Sequence, residues 1–216
     1  MTPAWPTVAL VTLLLAPESV GAQWLPTETM GVAVAASVGR VRLEGTDGSR
    51  PPGGTPGVWS VRVSLPVYQF ISIDGEFSRS GVVEGTWTRS VDTRFREQRR
   101  DEIWAAYIRA RLWRGGVIEV HPVVGAGVVR PVMEISGSFY NPVVGRWSDW
   151  SPVTDNYPEF RHTWTFSWGT DVRIGSQHVA VVPEFRVHEH FGDLSPWIVA
   201  QPRRTVRGSV GITYRF

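Results

Sequence analysis

The sequence predicts an all-β protein that folds as an eight-stranded, antiparallel, up-and-down β-barrel and crosses a membrane with its strands. Three observations predict this fold. Apolar and polar side chains alternate along most of the chain. The segments with this pattern are joined by a short turn and then by a long polar loop, in regular succession. After the amino-terminal segment, no apolar stretch approaches the ~20 residues that a membrane-spanning helix needs, so membrane integration would have to use strands.

Composition narrows the class of protein. The 216 residues are 42% hydrophobic and 19% charged, which excludes a long disordered chain. All 22 basic residues are arginine, and 20 acidic residues reduce the formal net charge to +2, which disfavours a general nucleic-acid binder. Because cysteine is absent from the sequence, disulfide frameworks, thiolate metal sites and cysteine nucleophiles are excluded.

The amino-terminal segment, residues 1–22, is typical of an export signal. An apolar run over residues 8–16 is followed by Pro17 and then by small residues up to Ala22, which suit cleavage before Gln23. No Lys or Arg precedes the run, and a buried amphipathic helix is the alternative interpretation. We therefore expect a cleaved signal peptide over residues 1–22.

Eight segments with a period of two are predicted to be strands. They span residues 31–43, 57–65, 69–79, 103–113, 117–129, 163–174, 179–189 and 205–216. Short turns are expected at 66–68, 114–116 and 175–178, where Gly115-Gly116 is a strong hairpin signal because both positions tolerate a positive φ. Long polar loops are expected at 44–56, 80–102, 130–162 and 190–204.

The predicted strands have one apolar and one polar face. In the last strand, Val206, Val210 and Phe216 share one face, while Arg207 and Ser209 lie on the other. Across strands two to eight, the more apolar face carries no charge and the opposite face carries twelve charged residues. These are Arg62, Asp74, Glu76, Arg109, Arg111, Glu119, Asp171, Arg173, Glu184, Arg186, Arg207 and Arg215. The first strand shows no clean alternation, which leaves its register open.

The pattern alone allows a soluble, lipocalin-like barrel with an apolar cavity or a membrane barrel with its polar face inside. Small Ser and Gly residues on the polar faces suit a narrow lumen, and seven arginines and five acidic residues could pair across it. Lysine, which is abundant on solvated surfaces, is absent from the sequence. Aromatic residues near the strand ends match the girdles of membrane barrels. We therefore predict a charge network in the lumen and lipid around the apolar face.

The carboxyl-terminal segment ends in Gly211-Ile212-Thr213-Tyr214-Arg215-Phe216. With this terminus and this architecture, the chain resembles the small eight-stranded outer-membrane barrels of Gram-negative bacteria, the OmpA-like and OmpX-like group. The resemblance implies a barrel domain over residues 30–216, preceded by a periplasmic lead-in over 23–29. It also implies that Tyr214 and Phe216 form the signal for the barrel-assembly machinery, and that the long loops face outside the cell.

Two of the long loops contain candidate contact residues. Four arginines of the second loop are candidates for binding lipopolysaccharide phosphates, because the guanidinium fork suits phosphate. They are Arg94, Arg96, Arg99 and Arg100. A solvated loop in which these arginines pair with acidic neighbours is the alternative. In the third loop, Trp147 and Trp150 are expected to fold the loop on itself or to form an adhesive surface.

Histidines and serines of the polar faces raise the possibility of a metal or a catalytic site. His188 and His190 lie two residues apart on one strand face, so a metal site with Glu184 or His121 is conceivable, although hydrogen bonds at a polar rim are favoured. A lipid A deacylase would need Ser, His and an acid on neighbouring strands, which Ser209, His188 and Glu184 could supply. The His-x-Ser-Asn type of motif found in such enzymes is absent from the sequence.

These observations favour a non-enzymatic outer-membrane barrel, a monomer that stabilises the envelope or mediates surface contact. Side chains are expected to plug the lumen, since an eight-stranded barrel has no room for an aqueous pore. The expected partners are outer-membrane lipids, lipopolysaccharide and, during insertion, the barrel-assembly machinery, with no nucleic acid, metal or cofactor. A lipid A-modifying enzyme and a secreted, lipocalin-like carrier are the alternatives.

Overall fold

The computed structural model of the protein describes residues 31–45, 55–152, 162–191 and 202–216. The predicted signal peptide and lead-in, and parts of three predicted loops, lie outside these residues. None of the described residues forms a helix that could cross a membrane. The strands are β1 (Ala33–Gly45), β2 (Gly57–Tyr68), β3 (Ile71–Ser80), β4 (Val83–Ser90), β5 (Thr93–Ala110), β6 (Trp113–Gly115), β7 (Ile118–Asn141), β8 (Arg146–Trp147), β9 (Ser151–Pro152), β10 (Thr163–Gly175), β11 (Val179–Phe191) and β12 (Pro202–Arg215).

Eight of these strands close a barrel. The order of strands around the barrel is β1, β2, β3, β5, β7, β10, β11 and β12. Each strand is antiparallel to the next, and β12 pairs with β1 to close the barrel. At the closure, Ala33 lies opposite Arg215 and Val38 lies opposite Val210. Every barrel strand therefore has a neighbour on both sides, which is what a sheet surrounded by hydrocarbon requires. The predicted all-β, eight-stranded antiparallel barrel is confirmed.

The barrel has a turn end and a loop end. The turn end carries the short connections after β2, β5 and β10, and the chain termini of the barrel; the loop end carries the longer connections. At the turn end, Gly116 adopts a φ of 60°, a conformation that favours glycine, as the sequence suggested. β6 lies in the same connection and pairs with the start of β7.

The strands extend further beyond the barrel wall than the sequence predicted. Residues 80–102 and 130–162 were expected to be loops, but β4 pairs with the first half of β5, and β5 continues against β7 as far as Thr93 opposite Phe139. The charged residues from Arg94 to Arg100 show no apolar alternation, so the sequence predicted a loop where β5 begins. Alternation of apolar and polar residues is needed only where one face meets an apolar environment, so a ribbon outside the membrane can be polar on both faces.

The structure sets the register of the first strand. In β1, Ala33 and Val41 are buried, and Ser37 points into the lumen, where its Oγ lies 2.7 Å from Ser60 Oγ. Val34 and Val38 point outward, and Val38 is 68% exposed. Most of the inward positions, such as Ala33, Ser37 and Gly39, are small.

Polarity is reversed relative to a soluble protein. Trp104, Trp164 and Ile212 on the outside are 57%, 68% and 63% exposed, whereas Asp74 and Asp171 inside are completely buried. Buried charges and exposed large apolar side chains are the informative exceptions to normal burial, and here they occupy opposite faces of the same sheet. This arrangement is the reverse of the soluble carrier with an apolar cavity that the sequence pattern also allowed.

Candidate functional site

Alternation along the barrel strands brings all twelve predicted network residues to the inner face. Eleven are buried, and Arg215 at the turn end is half-buried. They divide into two groups along the barrel axis. The first group, the central cluster, consists of Arg62, Asp74, Glu76, Arg109, Asp171, Glu184, Arg186 and Arg207.

Arg62 on β2 contacts all four carboxylates of the central cluster. Its Nη1 lies 2.8 Å from Glu184 Oε1, 3.2 Å from Asp171 Oδ2 and 3.7 Å from Glu76 Oε2. Its Nε lies 4.0 Å from Asp74 Oδ2. Because β2 and β11 are not neighbours in the sheet, the Arg62–Glu184 pair crosses the lumen.

The other three arginines of the central cluster each hold a carboxylate. Arg207 Nη1 lies 2.6 Å from Glu76 Oε1, Arg109 Nη2 lies 2.6 Å from Asp74 Oδ2, and Arg186 Nη1 donates to Asp171 Oδ1. Arg186 also stacks 5.4 Å from the ring of Tyr107, which is itself 1% exposed. Four guanidinium groups thus face four carboxylates, and mutual pairing offsets the desolvation of these buried charges.

The second group, the turn-end cluster, surrounds Glu119 on β7. Arg215 Nη2 lies 3.1 Å from the Glu119 carboxylate, and Arg111, Arg114 and Arg173 lie 3.7, 3.8 and 3.8 Å from it. His121 Nε2 lies 3.3 Å from the same group. Four guanidinium groups and one imidazole therefore surround the Glu119 carboxylate.

The histidine and serine side chains are connected differently from the sequence-based alternatives. Ser209 Oγ donates to Glu184 Oε2 at 3.1 Å rather than contacting His188. His188 Nδ1 instead lies 2.7 Å from Ser167 Oγ, while His190 Nε2 hydrogen-bonds to Thr205 Oγ1. No set of three or more potential metal ligands comes together in the described parts of the chain.

The Ser167–His188 pair was missed by sequence reasoning. The two residues lie directly opposite each other on β10 and β11, so a correct register for this hairpin could have found them. Ser167 is completely buried and His188 is 1% exposed, both inside the lumen. The pair therefore lies on the inner face of the barrel wall, away from the apolar outer face.

At the loop end, the four predicted lipopolysaccharide arginines do not share one face. Arg99 is buried and forms a bidentate pair with Asp101, at 2.9 Å from Nε to Oδ1 and 3.1 Å from Nη2 to Oδ2. Arg100 is half-buried. Arg94 stacks 4.2 Å from the ring of Trp147 and 5.2 Å from that of Trp150.

The outer surface also carries arginines that the sequence analysis did not single out. Arg40 and Arg42 on β1 are exposed and point outward on the loop-end side of Val38. Arg204 on the neighbouring β12 is paired with Glu189 at 2.6 Å. The sequence did not show which face of β1 points outward, so it could not predict that these two arginines lie on the outer surface.

The predicted insertion signal lies on the outside of the closing strand. Tyr214 and Phe216 are 45% and 69% exposed, and their rings pack edge to face at 4.9 Å. Both are next to the β1 pairing, with Tyr214 opposite Val34. Their role in insertion stays a prediction.

No protein-family model and no curated protein matches the sequence. Solved structures similar to the chain include Ail, the attachment invasion locus protein of Yersinia pestis (12% identity, TM-score 0.45, covering 88% of this chain and 100% of that one). They also include Neisserial surface protein A (14%, 0.42, 91% and 99%) and the outer-membrane enzyme PagL (10%, 0.39, 85% and 99%). The solved structures that this eight-stranded barrel resembles are thus small outer-membrane β-barrels, and PagL among them is an enzyme.

Proposed function

We propose that this chain is a monomeric, non-enzymatic outer-membrane barrel that stabilises the envelope by binding lipopolysaccharide in the outer leaflet. The observation that carries the proposal is the reversal of polarity: an apolar outer face and a lumen of buried, paired charges. Only a hydrocarbon surrounding makes this distribution favourable, because the exposed apolar area would otherwise face water. The described strands supply the apolar band that such a membrane location needs.

We infer the orientation of the barrel in the membrane and its route of assembly from its resemblance to small outer-membrane barrels. After export with a signal peptide over residues 1–22 and insertion by the barrel-assembly machinery, the turn end faces the periplasm and the loop end faces the outside. Tyr214 and Phe216 on the outer surface of β12 are available to be recognised before closure. The structural neighbours are outer-membrane proteins, which agrees with this location.

A membrane location is tested by the behaviour of the purified protein. Because the outer face is apolar, we expect the protein to stay in solution only with detergent and to migrate faster unboiled than boiled on SDS gels. The unboiled form retains the compact barrel, which is what makes it migrate faster. Recovery of folded protein from a detergent-free soluble fraction would contradict the proposal.

The absence of catalysis is supported by the position of the Ser167–His188 pair. Its oxygen and nitrogen atoms are buried on the inner face of the barrel, whereas an acyl chain in the membrane would contact the outer face. We expect the lipid A mass spectrum of cells expressing the protein to match that of cells without it. A change in acyl-chain number would instead favour the lipid A-modifying enzyme.

Lipopolysaccharide binding is supported by Arg40 and Arg42, which project from the outside of β1 at the loop end. Long arginine side chains extend from an apolar face toward the headgroups when the loop end faces out, and guanidinium forks bind phosphate in a bidentate manner. Arg94 and Arg96 lie further out, where they stack on Trp147 and Trp150.

Replacement of Arg40 or Arg42 by Gln should weaken lipopolysaccharide binding by about tenfold each, because one charge-assisted contact is lost. The affinity can be measured by titrating lipopolysaccharide into the barrel in phospholipid nanodiscs. Arg114→Gln is the matched control, since it makes the same charge change at the turn end and should leave the affinity unchanged. Equal affinities for all three variants and the parent would contradict this assignment.

A role in surface contact is the second candidate. It is favoured by the ring cluster at the loop end, where Arg94 lies over Trp147 and Tyr140 packs 5.6 Å from the same ring. Such a rigid aromatic and cationic surface is typical of contact sites. Loss of cell adhesion on Trp147→Ala, with lipopolysaccharide affinity retained, would support this candidate.

A further inference from the structure

A groove of about 1000 Å³ runs across the outer face of the barrel. It is mainly apolar and crosses six of the eight barrel strands, namely β12, β1, β2, β3, β5 and β7. Its floor contains three small outward residues, Gly75, Ala106 and Ala126, which lie side by side on adjacent strands. A Cβ atom added to Gly75 would meet no atom within 4 Å, so the space above this row is open.

Aromatic rings form the wall of the groove on its loop-end side. Phe77 and Trp104 are the next outward residues beyond Gly75 and Ala106 in the direction of the loop end. Their ring centroids lie 4.3 Å apart, and Trp59 packs against Phe77 at 5.4 Å. The groove owes its depth to the contrast between these rings and the small residues beside them.

The groove is inclined to the barrel axis because the strands are staggered. At one end, Tyr214 lies next to Arg215, where β12 stops at the turn end; at the other, Ala126 lies eight positions beyond Ile118, where β7 begins. Five strand spacings of about 4.8 Å and a strand tilt of about 40° give a rise of roughly 15 Å. This rise is about half the ~30 Å thickness of the hydrocarbon core of a bilayer, which is the length available to an acyl chain of one leaflet.

An arginine lies beyond the end of the groove that is closer to the loop end. After Ala126, the next outward residues of β7 are Val128 and Arg130. Arg130 is exposed, and no hydrogen bond or ion pair joins it to another residue in the described part of the chain. Glu102, opposite it on β5, is instead paired with Arg79 at 3.7 Å. A guanidinium group at the edge of an apolar surface is suited to bind the phosphate of a headgroup.

We propose that the groove holds one acyl chain of a lipopolysaccharide molecule whose phosphate binds Arg130. The inference rests on the proposed function, in which the loop end faces outside the cell and is surrounded by lipid of the outer leaflet. A flexible chain can follow six strands around the barrel, whereas a second copy of the barrel is rigid and would touch the convex wall along only a few strands. In a membrane, close packing rather than the hydrophobic effect stabilises such a contact.

The first test measures the affinity of the full barrel in phospholipid nanodiscs for lipopolysaccharide. Replacing Ala106 and Ala126 together by Leu fills the floor of the groove, and we expect the dissociation constant to rise about tenfold. Ala110→Leu is the matched control, because it makes the same change on β5 at the turn end, outside the groove, and it should leave the affinity unchanged. Arg130→Gln should weaken binding about tenfold, since one charge-assisted contact is lost.

Deacylated lipopolysaccharide, which keeps its phosphates, distinguishes the acyl-chain contact from the headgroup contact. It should bind equally to the parent and to the variant with Leu at both floor positions, whereas Arg130→Gln should still weaken its binding. Equal affinity of the parent and this double variant for intact lipopolysaccharide would overturn the inference. If Arg40→Gln still weakens binding in that case, the proposed function stands without the groove. If the parent shows no saturable binding, both are overturned.

A second test identifies the occupant in cells and does not require the double variant to fold. Ala126→p-benzoylphenylalanine, activated by light, should give a covalent adduct with lipopolysaccharide. A covalent dimer of the chain, or an adduct with phospholipid alone, would overturn the inference. The same replacement at Ala110 should give no lipopolysaccharide adduct. An adduct at Ala110 and none at Ala126 would show that the turn end faces outside the cell, which would overturn the proposed function as well.

Discussion

Replacement of Arg62 by Ala is expected to destabilise the folded barrel by about 3–5 kcal/mol, because it leaves buried carboxylates without their shared cation. Arg62 contacts all four carboxylates of the central cluster, and its side chain is 2% exposed. Its removal would leave four buried carboxylates facing three guanidinium groups. The free energy of unfolding can be measured by urea titration of the barrel in detergent micelles.

The matched control for Arg62→Ala is Arg79→Ala. Arg79 on β3 pairs with Glu102 at 3.7 Å, but its side chain is 35% exposed, so this change should cost less than about 1 kcal/mol. Adding Glu184→Gln to Arg62→Ala should recover part of the lost stability, since it restores the equality of opposite charges. A cost for Arg62→Ala no larger than that for Arg79→Ala would show that the network does not stabilise the fold.

The second large effect concerns the outer face. Val210→Arg should cost about 2–4 kcal/mol, because it places a guanidinium group in the hydrocarbon near the middle of the bilayer. Val210 lies on β12 between Val38 and Pro183 and is 53% exposed on the outside of the barrel. Folding into phospholipid vesicles, followed by urea titration, measures this cost.

Two control variants distinguish the effect of membrane depth on stability from the effect of the substitution itself. Val91→Arg makes the same change in the turn between β4 and β5, where the side chain is 97% exposed beyond the barrel wall, and should be close to neutral. Val210→Leu keeps an apolar side chain at the original position and should also be tolerated. If Val210→Arg folds and inserts as well as the parent, the outward face has been assigned to the wrong environment.

The sequence was sufficient to predict the closed barrel because the hydrocarbon and the narrow lumen impose opposite requirements on successive residues. Where both environments act, as in β12 from Arg207 to Arg215, alternation is clear and the faces follow directly from it. The same reasoning predicted which charged residues would point inward. It could not predict which arginine meets which carboxylate, since pairs such as Arg62 with Glu184 depend on the diameter of the barrel and its strand stagger.

Features without a strong environmental constraint were harder to predict. The ribbon of β4, β5 and β7 outside the membrane has polar side chains on both faces, so its sequence is similar to that of a loop. The short side chains of β1 fit either face, and the outward position of Arg40 follows only from pairing with β2 and β12.

The pairing of β1 with β12 has a consequence for the order of folding. Thr213 Oγ1 donates to Val34 O across 179 positions of sequence, so closure is among the most non-local steps the chain can make. Contacts between residues so far apart in the sequence have a large entropic cost of loop closure, and they make folding slower. Until the final segment arrives, β1 and β11 both present unpaired backbone groups that other chains could bind. A chaperone or assembly factor that shields these two edges would therefore determine how much of the newly exported protein avoids aggregation.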